Sequence, residues 1–368
     1  MKLTIDRDEL LRGVGRVQGI VDRRGTLPIL TNTLIRAEAG VLSLAATDLE
    51  VGIVATAKAD VAAPGAITLG AKKLYEIVRE IGPGAVTVEQ EDASRVKIQA
   101  GGSRFSLLSV SAEEYPSLPS PEGVEMLGVD PELLGEMIDR TFYATCTDET
   151  RYNLNGVFVE VIEDGRLRFV ATDGHRLAKV DRATRDKVTL FGPGRILPRK
   201  GVGEIRRLCD EGDGDVELGI ADGVVLARRG ALLLWCRLID SEYPDYRQVL
   251  PAEQTICVEI DREPLLHAVR RIALVASDRA SGFAFVLEDG SLVLTASNPD
   301  LGEAREQLDI TYDGEKFETR LDARYVIDAL TAMTAKQVVV EFINQLAPAQ
   351  IRPADDPSEI AVIMPMRL

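Results

Sequence analysis

Asp173 stands two positions before His175 in the stretch VATDGHRLAKV, and the chain has only two histidines. An imidazole beside a carboxylate is the pairing a general base needs. A hydrolytic site would add a nucleophile, yet no GxSxG occurs. GVGRVQG, from Gly13 to Gly19, misses the dinucleotide-binding GxGxxG spacing by one residue, and no GxxxxGK[ST] phosphate loop is present. The cysteines Cys146, Cys209, Cys236 and Cys257 form no CxxC pair, and two histidines cannot complete a Cys/His zinc cluster. Reduced structural thiols, no metal, no cofactor and no catalytic residue are therefore expected.

The elements around His175 occur three times. LSLAATDLEVGI from Leu42, LRFVATDGHRLAKV from Leu167 and LVLTASNPDLGEA from Leu292 each read as an alternating strand, a polar turn and another strand. Thr47, Thr172 and Ser297 hold the same place at intervals of 125 residues. Equal spacing of that size means three copies of one domain. Each copy opens with a strand and a helix start (LTIDRDELL, LGVDPELLG, VEIDREPLL), with Asp6, Asp130 and Asp261 as N-cap candidates. Each has a second helix after a strand, in ITLGAKKLYEIVREI, ILPRKGVGEIRRLC and TRLDARYVIDALTAM. Asp173-Gly174 reads as a hairpin turn, for which Asp-Gly supplies positive φ. The other copies carry Asp48-Leu49 and Asn298-Pro299 there, so the fold does not need His175.

The expected fold class is α+β: three tandem copies, each with two helices packed on antiparallel sheets. The expected domains are 1–122, 128–251 and 255–368, with boundaries near SPEGVE and LPAEQT. The 368 residues exceed what one hydrophobic core holds. The net charge of −16, from 43 basic and 59 acidic residues, argues against a simple basic DNA-binding domain but leaves room for one basic surface. No segment reads as a bilayer span or a signal peptide, so a cytoplasmic location is expected.

The tripled pattern resembles the bacterial sliding clamp, the β subunit of DNA polymerase III. The resemblance rests on TLPIL (from Thr26), LAATDLE (Leu44), ATDGHRLA (Ala171), PRKG (Pro198), EYPDYRQVLP (Glu242) and the terminal MPMRL (Met364). It implies a non-enzymatic processivity factor, a head-to-tail homodimer closing into a six-domain ring with helices lining the hole and double-stranded DNA passing through without sequence readout. The implied partners are the replicative polymerase, an ATP-dependent clamp loader and other proteins carrying a short clamp-binding peptide. Helical and adjoining segments carry Arg12, Arg16, Arg23, Arg79, Arg206, Arg207, Arg270 and Arg271, which suit nonspecific phosphate contact. Family DNA contacts carry over to Arg24, Lys72, Lys73, Arg151, Tyr152, Arg199 and Lys200.

The same resemblance implies a peptide pocket between the second and third domains. Its positions here are Leu154, Thr172, Gly174, His175, Arg176, Leu177, Pro244, Arg247, Val249, Tyr325, Leu346, Val362, Met364, Pro365, Met366 and Leu368. Arg176 is expected to offer directed donors, and flexible methionines suit repacking around different peptides. Two residues depart from the family pattern at its rim, Gln248 and Pro348. The implied dimer contact places Phe105 and Leu107 against Leu274 and Val275 of a second chain. The other reading of the residues is an acidic three-domain scaffold that binds proteins and never encircles DNA. Retention on closed circular DNA separates the two.

Overall fold

The computed structural model describes residues 1–21, 27–185, 188–250, 254–276 and 282–366. Each copy supplies a helix pair: α1 (Arg7–Gln18) and α2 (Ala71–Glu80), α3 (Pro131–Thr141) and α4 (Arg199–Cys209), α5 (Arg262–Ala273) and α6 (Ala323–Ala332). The helices form because apolar residues recur at helical spacing. In α1, Leu10, Val14 and Val17 lie on one buried stripe. Gly13 lets that stripe sit close to its sheet, since a Cβ there would stand 2.7 Å from the Leu44 side chain. Gly13 of GVGRVQG is thus a packing residue of a helix.

Asp6 caps α1, its carboxylate accepting the Asp8 and Glu9 amides at 2.9 and 3.4 Å. Asp261 holds the equivalent position before α5 but makes no side-chain capping bond, so there the expectation fails. No helix is long and apolar enough to cross a membrane, among the described residues.

By compactness the chain divides into Met1–Pro131 with Arg207–Leu238, and Glu132–Arg206 with Ile239–Leu368. This division runs through the expected second domain, and strand pairing explains it. In the first unit, an eight-stranded antiparallel sheet joins copy one to copy two: Val51–Lys58 pairs with Leu232–Arg237, with Gly52 opposite Trp235. In the second unit, another eight-stranded sheet joins copy two to copy three: Arg176–Arg182 pairs with Glu359–Ile363, with Leu177 opposite Val362. Both seams follow one rule: the strand after the polar turn of one copy pairs with the last strand of the next.

The rule leaves two strands over. Ser103–Leu108, the last strand of copy one, is the edge of a five-stranded sheet in the first unit. Gly302–Asp309, the post-turn strand of copy three, is the edge of a four-stranded sheet in the second unit. Phe105 and Leu107 lie half-buried on the first of these edges. Leu274 follows α5 and is 77% exposed, with Val275 half-buried beside it.

The second seam contains a buried acid. Glu359 lies 3.4 Å from the Arg140 guanidinium and 3.8 Å from that of Arg182. Burial outweighs these cations and pushes its carboxyl up from the usual carboxylate range to about 7. A raised carboxyl pKa means that the folded state holds the proton more tightly than the unfolded chain. Stability is therefore gained as pH falls from 8 toward 5, on the order of 1–2 kcal/mol. Scanning calorimetry at pH 8 and pH 6 checks this: the midpoint rises at pH 6, and Glu359→Gln removes most of that rise.

Candidate functional site

The turn at Asp173 is built from its own side chains. Thr172 donates its hydroxyl to the Arg176 carbonyl at 2.6 Å and accepts the Gly174 amide at 3.1 Å. The Asp173 carboxylate accepts the His175 and Arg176 amides at 2.9 and 3.0 Å. Copy one repeats the arrangement. The Thr47 hydroxyl donates to the Val51 carbonyl at 3.0 Å, and Asp48 accepts the Glu50 and Val51 amides at 3.0 and 2.7 Å. Positive φ falls on one residue in each turn, Gly174 at 87° and Leu49 at 78°. Asp173 itself is not left-handed, which corrects the two-residue reading of Asp-Gly. Asp173 thus serves the turn and does not orient an imidazole for proton transfer.

The freed side chains build a groove within the second unit. A cavity of about 160 Å³ is lined by Leu154, Thr172, Gly174, Arg176, Leu177, Pro244, Asp245, Tyr246, Val249, Val362 and Met364. Leu177 and Val362 form its floor as a cross-strand pair of the seam, almost fully buried. Val249 and Met364 stand at its mouth, 37% and 39% exposed. The Met364 amide donates to the His175 carbonyl at 2.9 Å, which ties the C-terminal segment to the turn. Such a groove offers apolar contact within a small polar frame, as small-ligand sites do.

Several expected pocket residues lie elsewhere. His175 and Tyr325 stack on each other outside the cavity, ring centroids 6.4 Å apart. Arg176 is at the groove wall, but its donors are engaged within the protein. They reach Asp173 at 3.1 Å, Asp328 at 2.5 Å and the Tyr143 carbonyl at 2.6 Å, while the guanidinium lies 4.7 Å from the Tyr325 ring. Its expected role as a donor to a partner is therefore corrected to that of a clamp on the groove wall. Arg247 turns to Glu160, Leu346 is 81% exposed away from the cavity, and Pro365 is half-buried beyond Met364. The Met366 sulfur packs where a Cβ of Gly282 would be, and its amide donates to the Arg320 carbonyl at 2.9 Å. Leu368 lies outside the described residues. Asp245 and Tyr246 join the groove without having been assigned from sequence, although EYPDY contains both.

Of the expected DNA contacts, Arg24 also lies outside the described residues. Lys72 and Lys73 project from α2, with Lys73 bonded to Glu76 at 2.6 Å. Tyr152 donates its hydroxyl to the Asp240 carbonyl at 2.7 Å and leaves its ring half exposed. Arg151 and Arg199 share a polar cavity of about 530 Å³ with His175 and Arg176, beside the groove. Arg199 lies 4.6 Å from the Phe142 ring and donates to the Thr145 hydroxyl at 3.1 Å. Lys200 follows it, exposed on the first turn of α4. Other helical cations pair with acids: Arg12 with Glu9, Arg206 with Asp139, Arg271 with Glu306, and Arg16 with Glu211. Arg16 is mostly buried, which removes it from any phosphate-facing set. Burial also pushes the Cys236 thiol up to about 12, which keeps it protonated and inert.

Three copies of one two-helix unit, joined through their sheets, with an apolar groove on one seam, define a binding scaffold for macromolecules. Profiles of the DNA polymerase III beta subunit N-terminal, central and C-terminal domains match residues 1–119, 128–245 and 247–367. The beta sliding clamp of Caulobacter vibrioides is 38% identical over 373 residues, covering all of both chains. The solved DNA polymerase sliding clamp from Caulobacter crescentus matches with a TM-score of 0.93 at 38% identity, again over both full chains. A sliding clamp (DNA polymerase III subunit beta) from Bartonella birtlesii, solved bound to griselimycin, matches with a TM-score of 0.94 at 35% identity, over the whole of both chains. The chain belongs to the DNA polymerase III beta subunit family, the beta sliding clamps. It is a DNA polymerase processivity factor and not an enzyme.

Proposed function

We propose that two copies of the chain close head to tail into a ring around double-stranded DNA. The observation that carries this reading is the seam rule. Two seams within the chain pair a post-turn strand with a last strand, and the two strands left over are one of each kind. In the dimer, Ser103–Leu108 of one copy pairs with Gly302–Asp309 of the other, which removes both open edges. Phe105 and Leu107 supply apolar area at this contact, together with Leu274 and Val275. The chain then comprises three clamp domains, 1–122, 128–251 and 255–368. The test is retention on plasmid: the protein stays on closed circles and is released when they are linearised. Equal release from both forms would leave the scaffold reading standing.

The helices then face the duplex, and Arg24, Lys72, Lys73, Arg151, Tyr152, Arg199 and Lys200 contact its backbone. Replacing Arg24, Arg199 and Lys200 with alanine weakens binding for all sequences alike. The slope of log affinity against log salt shrinks by up to about 0.9 for each phosphate that is no longer neutralised. Filter binding across a salt series, with two unrelated duplexes, checks this; a sequence-selective loss would count against a nonspecific lining.

The groove on the second seam takes short peptides of the replicative polymerase, the ATP-dependent clamp loader and other proteins that act on DNA. Apolar anchors enter between Leu177, Val362 and Val249, while Thr172, Pro244, Met364, His175 and Tyr325 frame the entrance. The location is cytoplasmic, where DNA is replicated in bacteria.

A further inference from the structure

Under the groove lies a charged network that the tripled fold does not need. Glu160, on strand Gly156–Val161, is 5% exposed. It accepts the Tyr246 hydroxyl at 2.5 Å and the Arg247 guanidinium at 3.1 and 3.2 Å. The Tyr246 oxygen in turn accepts from Arg168 at 2.9 Å. Arg168 holds Asp181 through two bonds of 2.6 and 2.7 Å, and Lys179 bonds Asp181 at 3.0 Å and the Ser358 carbonyl at 3.3 Å. The chain of contacts starts at the turn that carries Tyr246 and Val249. It ends at the residue before strand Glu359–Ile363, which leads to Met364. Both segments supply residues that line the groove, Tyr246 and Val249 from one and Val362 and Met364 from the other.

The other copies act as internal controls. Strand pairing aligns Glu160, Arg168 and Asp181 with Arg36, Ser43 and Thr56 in copy one, and with Val286, Val293 and Gln307 in copy three. The EYP motif aligns Tyr246 with Leu118. Both copies form the same sheet without the network, so copy two does not keep it to fold. Burying several charges costs desolvation even when they are paired, which makes the network a poor device for stability alone. Fully satisfied buried networks do fix positions.

We infer that Glu160, acting through Tyr246 and seconded by Arg168 and Asp181, is a positioning residue that sets the width of the peptide groove. This rests on the groove reading above. Without Glu160, the Tyr246 ring and the turn bearing Val249 shift against the Val362–Met364 wall, and a ligand loses shape match.

The test is calorimetry on the dimer with a synthetic clamp-binding peptide of the replicative polymerase. Tyr246→Phe keeps the ring and removes the bond to Glu160, and weakens affinity about 5- to 20-fold. Glu160→Ala does the same, whereas Glu160→Gln keeps an acceptor for the hydroxyl and retains affinity within about threefold. Tyr246→Phe combined with Glu160→Ala loses little more than either alone, since both break one link. Dimer mass and retention on circular plasmid stay at wild-type values in all variants. Affinity within twofold of wild type in both Tyr246→Phe and Glu160→Ala overturns the proposal, as does an equal loss for Gln and Ala at position 160. If the wild type itself fails to bind, the groove reading falls first and this inference with it.

Discussion

Deleting Met364–Leu368 weakens binding of a synthetic clamp-binding peptide of the replicative polymerase by at least about 100-fold, while dimer mass and retention on circular plasmid stay unchanged. The deletion removes Met364, which lines the cavity and stands at its mouth. It also removes the amide that holds the segment to the His175 carbonyl. A loss of that size corresponds to about 2.7 kcal/mol, within the range of a central hot spot. The seam itself survives, because its ladder runs from Arg176–Ile363 to Val180–Glu359 and ends before the deleted residues. Calorimetry decides the first part, and light scattering with the plasmid assay decides the second. Unchanged affinity would mean that the ligand binds elsewhere. His175→Ala, by contrast, costs only a few-fold, since the imidazole stands outside the cavity and stacks on Tyr325.

Leu107→Asp separates the dimer. The residue lies half-buried on the free edge strand Ser103–Leu108, directly across the ladder from Val96. If that edge pairs with Gly302–Asp309 of a second copy, the new carboxylate meets a strand already carrying Glu303, Glu306 and Asp309. An unpaired charge held in an apolar contact costs about 3–5 kcal/mol, and the ring contains the contact twice. The dimer dissociation constant rises at least about 100-fold, and plasmid retention disappears with it. Leu274→Ala with Val275→Ala shifts the balance in the same direction by less. Sedimentation at nanomolar concentration reads both. A full dimer for Leu107→Asp would refute pairing at this edge.

The repeat was legible because it is a local pattern: a strand, a threonine or serine and a polar turn return every 125 residues. Both helices of each copy were legible for the same reason, through apolar spacing, with Asp6, Asp130 or Asp261 before the first helix of each pair. The seams were not. Pairing of Val51–Lys58 with Leu232–Arg237 spans nearly half the chain, and nothing in either strand alone names its partner. That is why the compact units cut through the second copy. At the groove, the residue types were readable but their engagements were not. Arg176 looks like an available donor until Asp173, Asp328 and the Tyr143 carbonyl are seen around it. Tyr246 does not stand out in the sequence because its meaning depends on Glu160, 86 positions earlier. The one available signal was comparison between copies, in which Tyr246 replaces Leu118 after a shared EYP.

Chain connectivity decides where the ring opens. Two of the three seams in each protomer join strands of one continuous chain, so each side finds the other at a high effective concentration whenever it separates. The proposed third, between Ser103–Leu108 of one copy and Gly302–Asp309 of the other, would join separate molecules, and its re-formation would depend on tethering through the rest of the ring. Three joints of one architecture therefore differ in lifetime through connectivity alone. Opening such a ring to admit a duplex would go through the joint without a covalent leash, while the intramolecular seams hold the protomer together.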